Sequence, residues 1–154
     1  MPKDTQLTTN FWLSEFTISD KAERFGIANQ PNTSEIENLR RLAGVLEVVR
    51  STLNGAPIII SSGFRCPKLN TLVGSDSTSA HPDGRAADFI APRFGSPKDI
   101  CRALMTAGVV ADQLIYEGSW VHLGIAVYGA QPRKQVLTAV FTPGKKTRYL
   151  PGLL

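Results

Sequence analysis

Between Ser79 and Phe89 the chain reads Ser79-Ala80-His81-Pro82-Asp83-Gly84-Arg85-Ala86-Ala87-Asp88-Phe89, and no other stretch constrains the fold as much. It holds one of only two histidines in the sequence. Turn-forming residues crowd the segment from His81 to Gly84, which predicts a loop for His81. Asp88 opens the apolar run Phe89-Ile90-Ala91, which predicts a short buried strand. A loop imidazole and a strand carboxylate that converge make two legs of a zinc site. The other histidine, His122 in Trp120-Val121-His122-Leu123-Gly124, lies in a second apolar strand and is available as a third leg. Two histidines and one carboxylate, with the fourth position left to water, is the ligand count of a hydrolytic zinc centre. Taken singly, each residue also has an ordinary structural role open to it. A loop histidine is commonly solvated, a strand-initial aspartate commonly caps or pairs, and a core histidine can rest on a backbone hydrogen bond.

The full string carries more information than a bare histidine–aspartate spacing. Ser79-x-His81-x-x-Gly84-x-Ala86-x-Asp88 resembles the zinc-binding signature of the D-alanyl-D-alanine carboxypeptidase family of metallopeptidases, which includes the peptide-cleaving endolysins of bacteriophages. Ser61-Ser62-Gly63-Phe64-Arg65 resembles the family's S-G-[FY]-R element, and Trp120-Val121-His122 its W-x-H element. All three occur in the family's order, between Ile58 and Ile125. The resemblance implies His81, Asp88 and His122 as ligands of Zn2+ and Arg65 as a substrate-side cation. It further implies the fold shared by DD-peptidases and hedgehog signalling proteins. Ser79 either hydrogen-bonds substrate or braces its loop, and Trp120 is a further substrate-side candidate.

One departure from the family pattern concerns the proton carrier. Many members place the catalytic acid three residues before the final histidine, where this chain has Ser119. The hairpin predicted around Gly118-Ser119 offers a substitute. Glycine at the first turn position suits a two-residue type II′ turn, which sets Glu117 opposite Trp120 and Ile115 opposite His122. Side chains alternate faces along a strand, so Ile115, Glu117, Trp120 and His122 point the same way. Glu117 is then a diagonal neighbour of His122, within reach of an attacking water, and can act as general base. Asp112 and Asp83 are the weaker alternatives.

The remaining elements read as scaffold. Phe11, Trp12, Leu13 and Phe16 anchor an N-terminal arm over residues 1–30, with a short helix from Asp20 capped by Ser19 and ended by Gly26. Ser34 and Glu37 form a capping-box pattern at the head of an amphipathic helix whose buried face is Ile36, Leu39, Leu42, Ala43, Leu46, Val49 and Leu53. Ile58-Ile59-Ile60 predicts a buried strand, and residues 66–80 a loop with about one helical turn. Ser96-Pro97-x-Asp99 starts a second helix that Gly108 closes. The alternation from Lys134 to Thr142 predicts the strand that completes the sheet, followed by a basic, turn-rich tail. The expected architecture is α+β: a small, mainly antiparallel sheet, helices on one side and the metal site on the open face.

Composition bounds the rest. A chain of 154 residues with 42% hydrophobic and 19% charged residues suits a single globular domain, here a zinc peptidase domain over residues 1–154 without a separate wall-binding module. No apolar run is long enough for a membrane span. The start, Met1-Pro2-Lys3-Asp4, lacks the apolar core of a signal peptide, so the expectation is cytoplasmic synthesis, with action on the wall after release, in the manner of a phage-encoded endolysin. Cys66 and Cys101 are too few and too far apart for a disulfide framework and read as free thiols. The net charge of +4 gathers late: no acid follows Glu117, while Arg133, Lys134, Lys145, Lys146 and Arg148 do. Nothing accompanies this charge that suggests nucleic-acid reading, and an anionic bacterial envelope is the better match.

The leading expectation is a monomeric zinc peptidase cutting an amide bond in the peptide stem or cross-link of peptidoglycan. Alternatives are a D-alanyl-D-alanine carboxypeptidase, which shares every residue named, and a non-catalytic zinc module with a structural or wall-binding role.

Overall fold

The computed structural model describes residues 3–154. Strands β1 (Gln6–Thr8) and β2 (Phe11–Trp12) form a small antiparallel ribbon, followed by the short helices α1 (Leu13–Thr17) and α2 (Asp20–Arg24). The long helix α3 (Thr33–Thr52) leads to β3 (Ile59–Ser62), helix α4 (Pro67–Leu72), a 3-10 turn at His81–Asp83 and β4 (Ala86–Ile90). Helix α5 (Pro97–Ala107) precedes β5 (Gln113–Tyr116), β6 (Val121–Gly124), β7 (Gln135–Val140) and β8 (Arg148–Pro151). The main sheet has the order β3-β4-β6-β5-β7-β8. Every pairing is antiparallel except β5 with β7, so the class is α+β with a mixed, mostly antiparallel sheet.

Period-2 alternation divides that sheet into two chemically distinct faces. Ala87 and Phe89 of β4, Val121 and Leu123 of β6, and Leu114 of β5 join the core beneath α3 and α5. Leu39, Leu42, Ala43, Leu46 and Val49 of α3 are completely buried against them, at the spacings of three and four that the sequence displays. Ile100, Cys101 and Leu104 supply the equivalent stripe of α5. The opposite face carries Asp88, His122 and Ile115, which the same pleat turns away from the helices. Among the described residues no helix is long and apolar enough to cross a membrane.

Several boundaries differ from expectation for identifiable reasons. Helix α3 starts two residues early because Asn32, as good a cap as serine, accepts from the Glu35 backbone while the Glu35 carboxylate accepts from the Asn32 N–H, both at 2.8 Å. The Ile58–Ile60 run does not form a buried strand. Strand β3 is shifted to Ile59–Ser62 and pairs only with β4, so Ile59 on this edge is half exposed. Strand β7 does not close the sheet, since the basic tail contributes β8 outside it, and the N-terminal arm holds its own ribbon. The caps at Ser19 and Ser96 and the left-handed stop at Gly108 are as expected. Both cysteines are free, and burial pushes the Cys101 thiol up to about 12.

The arm is tied to the future site at one tight point. Phe16 is fully buried, and its carbonyl accepts a hydrogen bond of 2.7 Å from the Phe64 N–H. A Cβ on Gly63 would lie 2.7 Å from both the Cα and the carbonyl oxygen of Phe16, which are backbone atoms with no rotamer escape. We therefore expect Gly63→Ala to lower the unfolding free energy by about 1–3 kcal/mol in urea denaturation, the usual cost of overpacking. An unchanged midpoint would contradict this close approach.

Candidate metal centre and active site

Strands β4 and β6 pair in antiparallel register with Asp88 opposite His122. This pairing brings the carboxylate and the imidazole together on the open face, with His122 Nδ1 2.9 Å from Asp88 Oδ1. His81 arrives from the 3-10 turn rather than from a strand, and its Nε2 lies 3.5 Å from the same Oδ1. The two imidazole rings stand edge to face with centroids 5.2 Å apart.

The loop that delivers His81 explains several residues of the motif. The Ser79 hydroxyl accepts from the His81 backbone N–H at 3.2 Å, so Ser79 braces the loop. Gly84 adopts φ +73°, a left-handed conformation that glycine reaches without a Cβ penalty, and closes the turn with its N–H on the His81 carbonyl. A Cβ there would also lie 2.6 Å from the Glu35 carbonyl oxygen of α3. Ala86 and Ala87 are wholly buried. The His81 Nδ1–H donates to the Gly63 carbonyl at 2.6 Å, which fixes the tautomer and aims Nε2 at Asp88. Sequence reasoning did not assign that support role to Gly63, although the S-G-F-R element contained it.

His81, Asp88 and His122 are all buried, and one donor atom from each falls within 4.8 Å of the others. A tetrahedral ion with bonds of about 2.0–2.1 Å keeps its donors about 3.3 Å apart. The observed 2.9 and 3.5 Å bracket that spacing. Imidazole and carboxylate donors suit zinc, and the residues present fit a zinc ion.

The electrostatics fit a preformed centre. Burial alone would raise the Asp88 carboxyl, but the imidazoles of His122 and His81 beside it outweigh this and hold it well below the usual carboxylate range. Burial dominates at His81 and lowers its pKa despite the neighbouring Asp88, which keeps the ring neutral and its lone pair available.

The β5–β6 hairpin has the register expected of it, with Ile115 opposite His122 and the Glu117 N–H donating to the Trp120 carbonyl at 3.1 Å. Gly118 takes φ +77° in the turn. Glu117 thus falls on the metal-site face. Burial raises its pKa above 4.5, the Asp88 charge adds to the rise, and His122 and Arg65 oppose it. The Trp120 indole N–H also lowers it, yet makes no hydrogen bond of normal geometry. Trp120 instead packs its ring 6.3 Å from that of Phe141.

Arg65 follows β3 on the other flank of the trio. Burial lowers its pKa, opposed by the charges of Asp88 and Glu117, and its Nε is buried without a hydrogen-bond partner. Among the described residues its side chain makes one hydrogen bond, a long one of 3.5 Å to the Ser75 hydroxyl. The two other carboxylates considered for proton transfer are occupied elsewhere. Asp112 takes a bidentate contact from Arg133, down to 2.8 Å, and Asp83 pairs with Arg85 at 2.9 Å. Glu117 is the carboxylate left beside the trio.

A buried donor trio with a desolvated carboxylate on the same sheet face defines a site suited to metal-dependent hydrolysis. Over residues 9–124 the chain matches the model of the family described as Peptidase M15, and it belongs to that family. Membership makes it a metallopeptidase, of a family of zinc enzymes that act on peptidoglycan peptides. No curated protein matches the chain.

The raised pKa of Glu117 has a thermodynamic sign. Between 4.5 and the raised folded value the native state holds the proton more tightly than the unfolded chain, so stability falls as pH rises through that window. We expect Glu117→Gln to raise the melting temperature of the chelator-treated protein at neutral pH. The gain should disappear below pH 4.5. A variant less stable than the parent at neutral pH would contradict a desolvated, uncompensated Glu117.

Proposed function

We propose that this protein is a zinc peptidase hydrolysing an amide bond in the peptide stem or cross-link of peptidoglycan, in the manner of an endolysin. His81 Nε2, Asp88 Oδ1 and His122 Nδ1 would hold the ion. Bound zinc supplies Lewis-acid polarisation of a carbonyl and a nucleophile from water near neutral pH. The observation that carries the reading is Glu117. It is a carboxylate with a raised pKa, on the same open face as the donor trio, and among the described residues it forms no salt bridge.

Each residue then has a defined task. Glu117 takes the proton of the attacking water and returns it to the leaving nitrogen, a role that suits a carboxylate whose pKa sits above the ordinary value. Arg65 presents unused guanidinium donors toward substrate oxygens, and its burial strengthens those hydrogen bonds by excluding water. Trp120 forms an aromatic wall beside the scissile bond, and Ser79 holds the His81 loop in place. Residues 1–154 act as one peptidase domain. The basic residues after Glu117 favour approach to an anionic wall.

The test is mass spectrometry of purified peptidoglycan after incubation with the protein, with chelator and with zinc added back. New peptide termini should appear, vanish with chelator and return with zinc, and their identity names the bond. Glu117→Gln should retain zinc and lose about 10²–10⁴-fold in turnover, the usual contribution of general acid–base catalysis. Zinc-loaded protein that yields no new termini would overturn the proposal in favour of a non-catalytic wall-binding module.

A further inference from the structure

The open face continues past Glu117 onto strands that lie outside the family match. One step beyond the pair Tyr116 and Thr138, the parallel register of β5 and β7 sets Glu117 beside Ala139. The antiparallel register of β7 and β8 then sets Ala139 opposite Tyr149. Trp120, Glu117, Ala139 and Tyr149 therefore form one cross-strand row on the face that bears His122 and Asp88. The only residue between the glutamate and the tyrosine is an alanine. Ala139 is nevertheless buried, although it lies on the face turned away from α3 and α5. The Tyr149 ring is half exposed.

From this geometry we propose that Tyr149 is a substrate-positioning residue, whose phenol O–H donates a hydrogen bond to an oxygen of the bound peptide on the far side of Glu117 from the donor trio. This assignment rests on the peptidase reading above and adds a binding subsite to it. Neighbouring strands stand about 4.8 Å apart, so the row from Trp120 to Tyr149 spans about 14 Å between backbones. A tyrosine side chain leaning over Ala139 shortens that gap to about the length of two extended peptide residues. Arg65 borders the trio at the β3 end of the sheet and Tyr149 borders it at the β8 end, so a peptide crossing the strands meets a donor on each side of the scissile bond.

The charges around the ring agree with a donor role. Burial raises the Tyr149 pKa, and the negative charges of Glu117, Asp88 and Asp76 raise it further, so the phenol keeps its proton at neutral pH. Tyr149 lies beyond the 9–124 span that the family model covers, so this subsite belongs to the chain's own C-terminal hairpin.

The experiment compares zinc-loaded wild type and Tyr149→Phe on soluble stem peptides released from peptidoglycan, with kcat and KM measured separately. Calorimetric binding of the same peptides is measured in a Glu117→Gln background with and without Tyr149→Phe. Phenylalanine keeps the ring and removes only the donor. The expected result is a KM and a Kd raised about three- to tenfold, with kcat within about twofold and zinc content unchanged, the pattern of a lost uniform binding contact. Cleavage by wild type with the same KM and Kd in the phenylalanine variant overturns the role of Tyr149 alone. If wild type cuts nothing while the Glu117→Gln protein binds the peptides and adding Tyr149→Phe weakens that binding, the subsite stands and the peptidase reading falls. Absence of cleavage by wild type together with absence of binding by the Glu117→Gln protein overturns both.

Discussion

The pairing of β4 with β6 is the constraint on which the rest depends. Setting Asp88 opposite His122 commits a buried carboxylate and a buried imidazole to each other on the face turned away from α3 and α5. A shift of one residue would turn Asp88 into the core and Phe89 out of it, so the hydrophobic requirement of the α3–α5 layer also enforces the geometry of the site. Fold and function are coupled through a single register. The same pleat that buries Ala87, Phe89, Val121 and Leu123 exposes the donors between them.

His81 has no strand to place it, and the structure compensates through loop architecture. Its backbone N–H is held by Ser79, its carbonyl by Gly84, and its ring by the Gly63 carbonyl. Gly63 in turn rests against the Phe16 backbone, so the N-terminal arm supports the ligand loop through two layers of contact. Buried polar groups tolerate such positions only when their hydrogen bonds are made, and here they are made for the supports. Among the described residues four buried side-chain atoms lack a partner: Arg65 Nε and Trp120 Nε1 flank the trio, while Thr8 Oγ1 and Asn70 Oδ1 are the other two. Polar groups left open beside a donor trio are what a binding site requires and a core would not keep.

Much of this was legible in the residues. The 3.6-residue period of α3 and the period-2 alternation of β6 identify core faces directly, because side-chain direction follows from backbone repeat. The Gly118-Ser119 turn predicts the Ile115–His122 register through turn geometry alone, and from it the face on which Glu117 lies. The parts that escaped were set by long-range pairing. Nothing local distinguishes the Ile59 strand as an edge rather than a centre, since β-branched residues serve both. Strand β8 hides in a segment rich in lysine and glycine, where pairing with β7 overrides weak propensity. Its parallel-sided neighbour arrangement, and with it the row joining Glu117 to Tyr149, follows only from the assembled sheet. The Asp112–Arg133 pair likewise joins residues 21 apart that carry no shared pattern.

Whether His81, Asp88 and His122 jointly hold zinc is tested most directly by X-ray absorption at the zinc edge on the purified protein, beside His122→Ala. The account predicts a single zinc per chain, bound by two imidazole nitrogens and a carboxylate oxygen at about 2.0–2.2 Å with no sulfur in the shell, and loss of that zinc in the variant. A sulfur ligand, or full zinc occupancy with His122 removed, would contradict it.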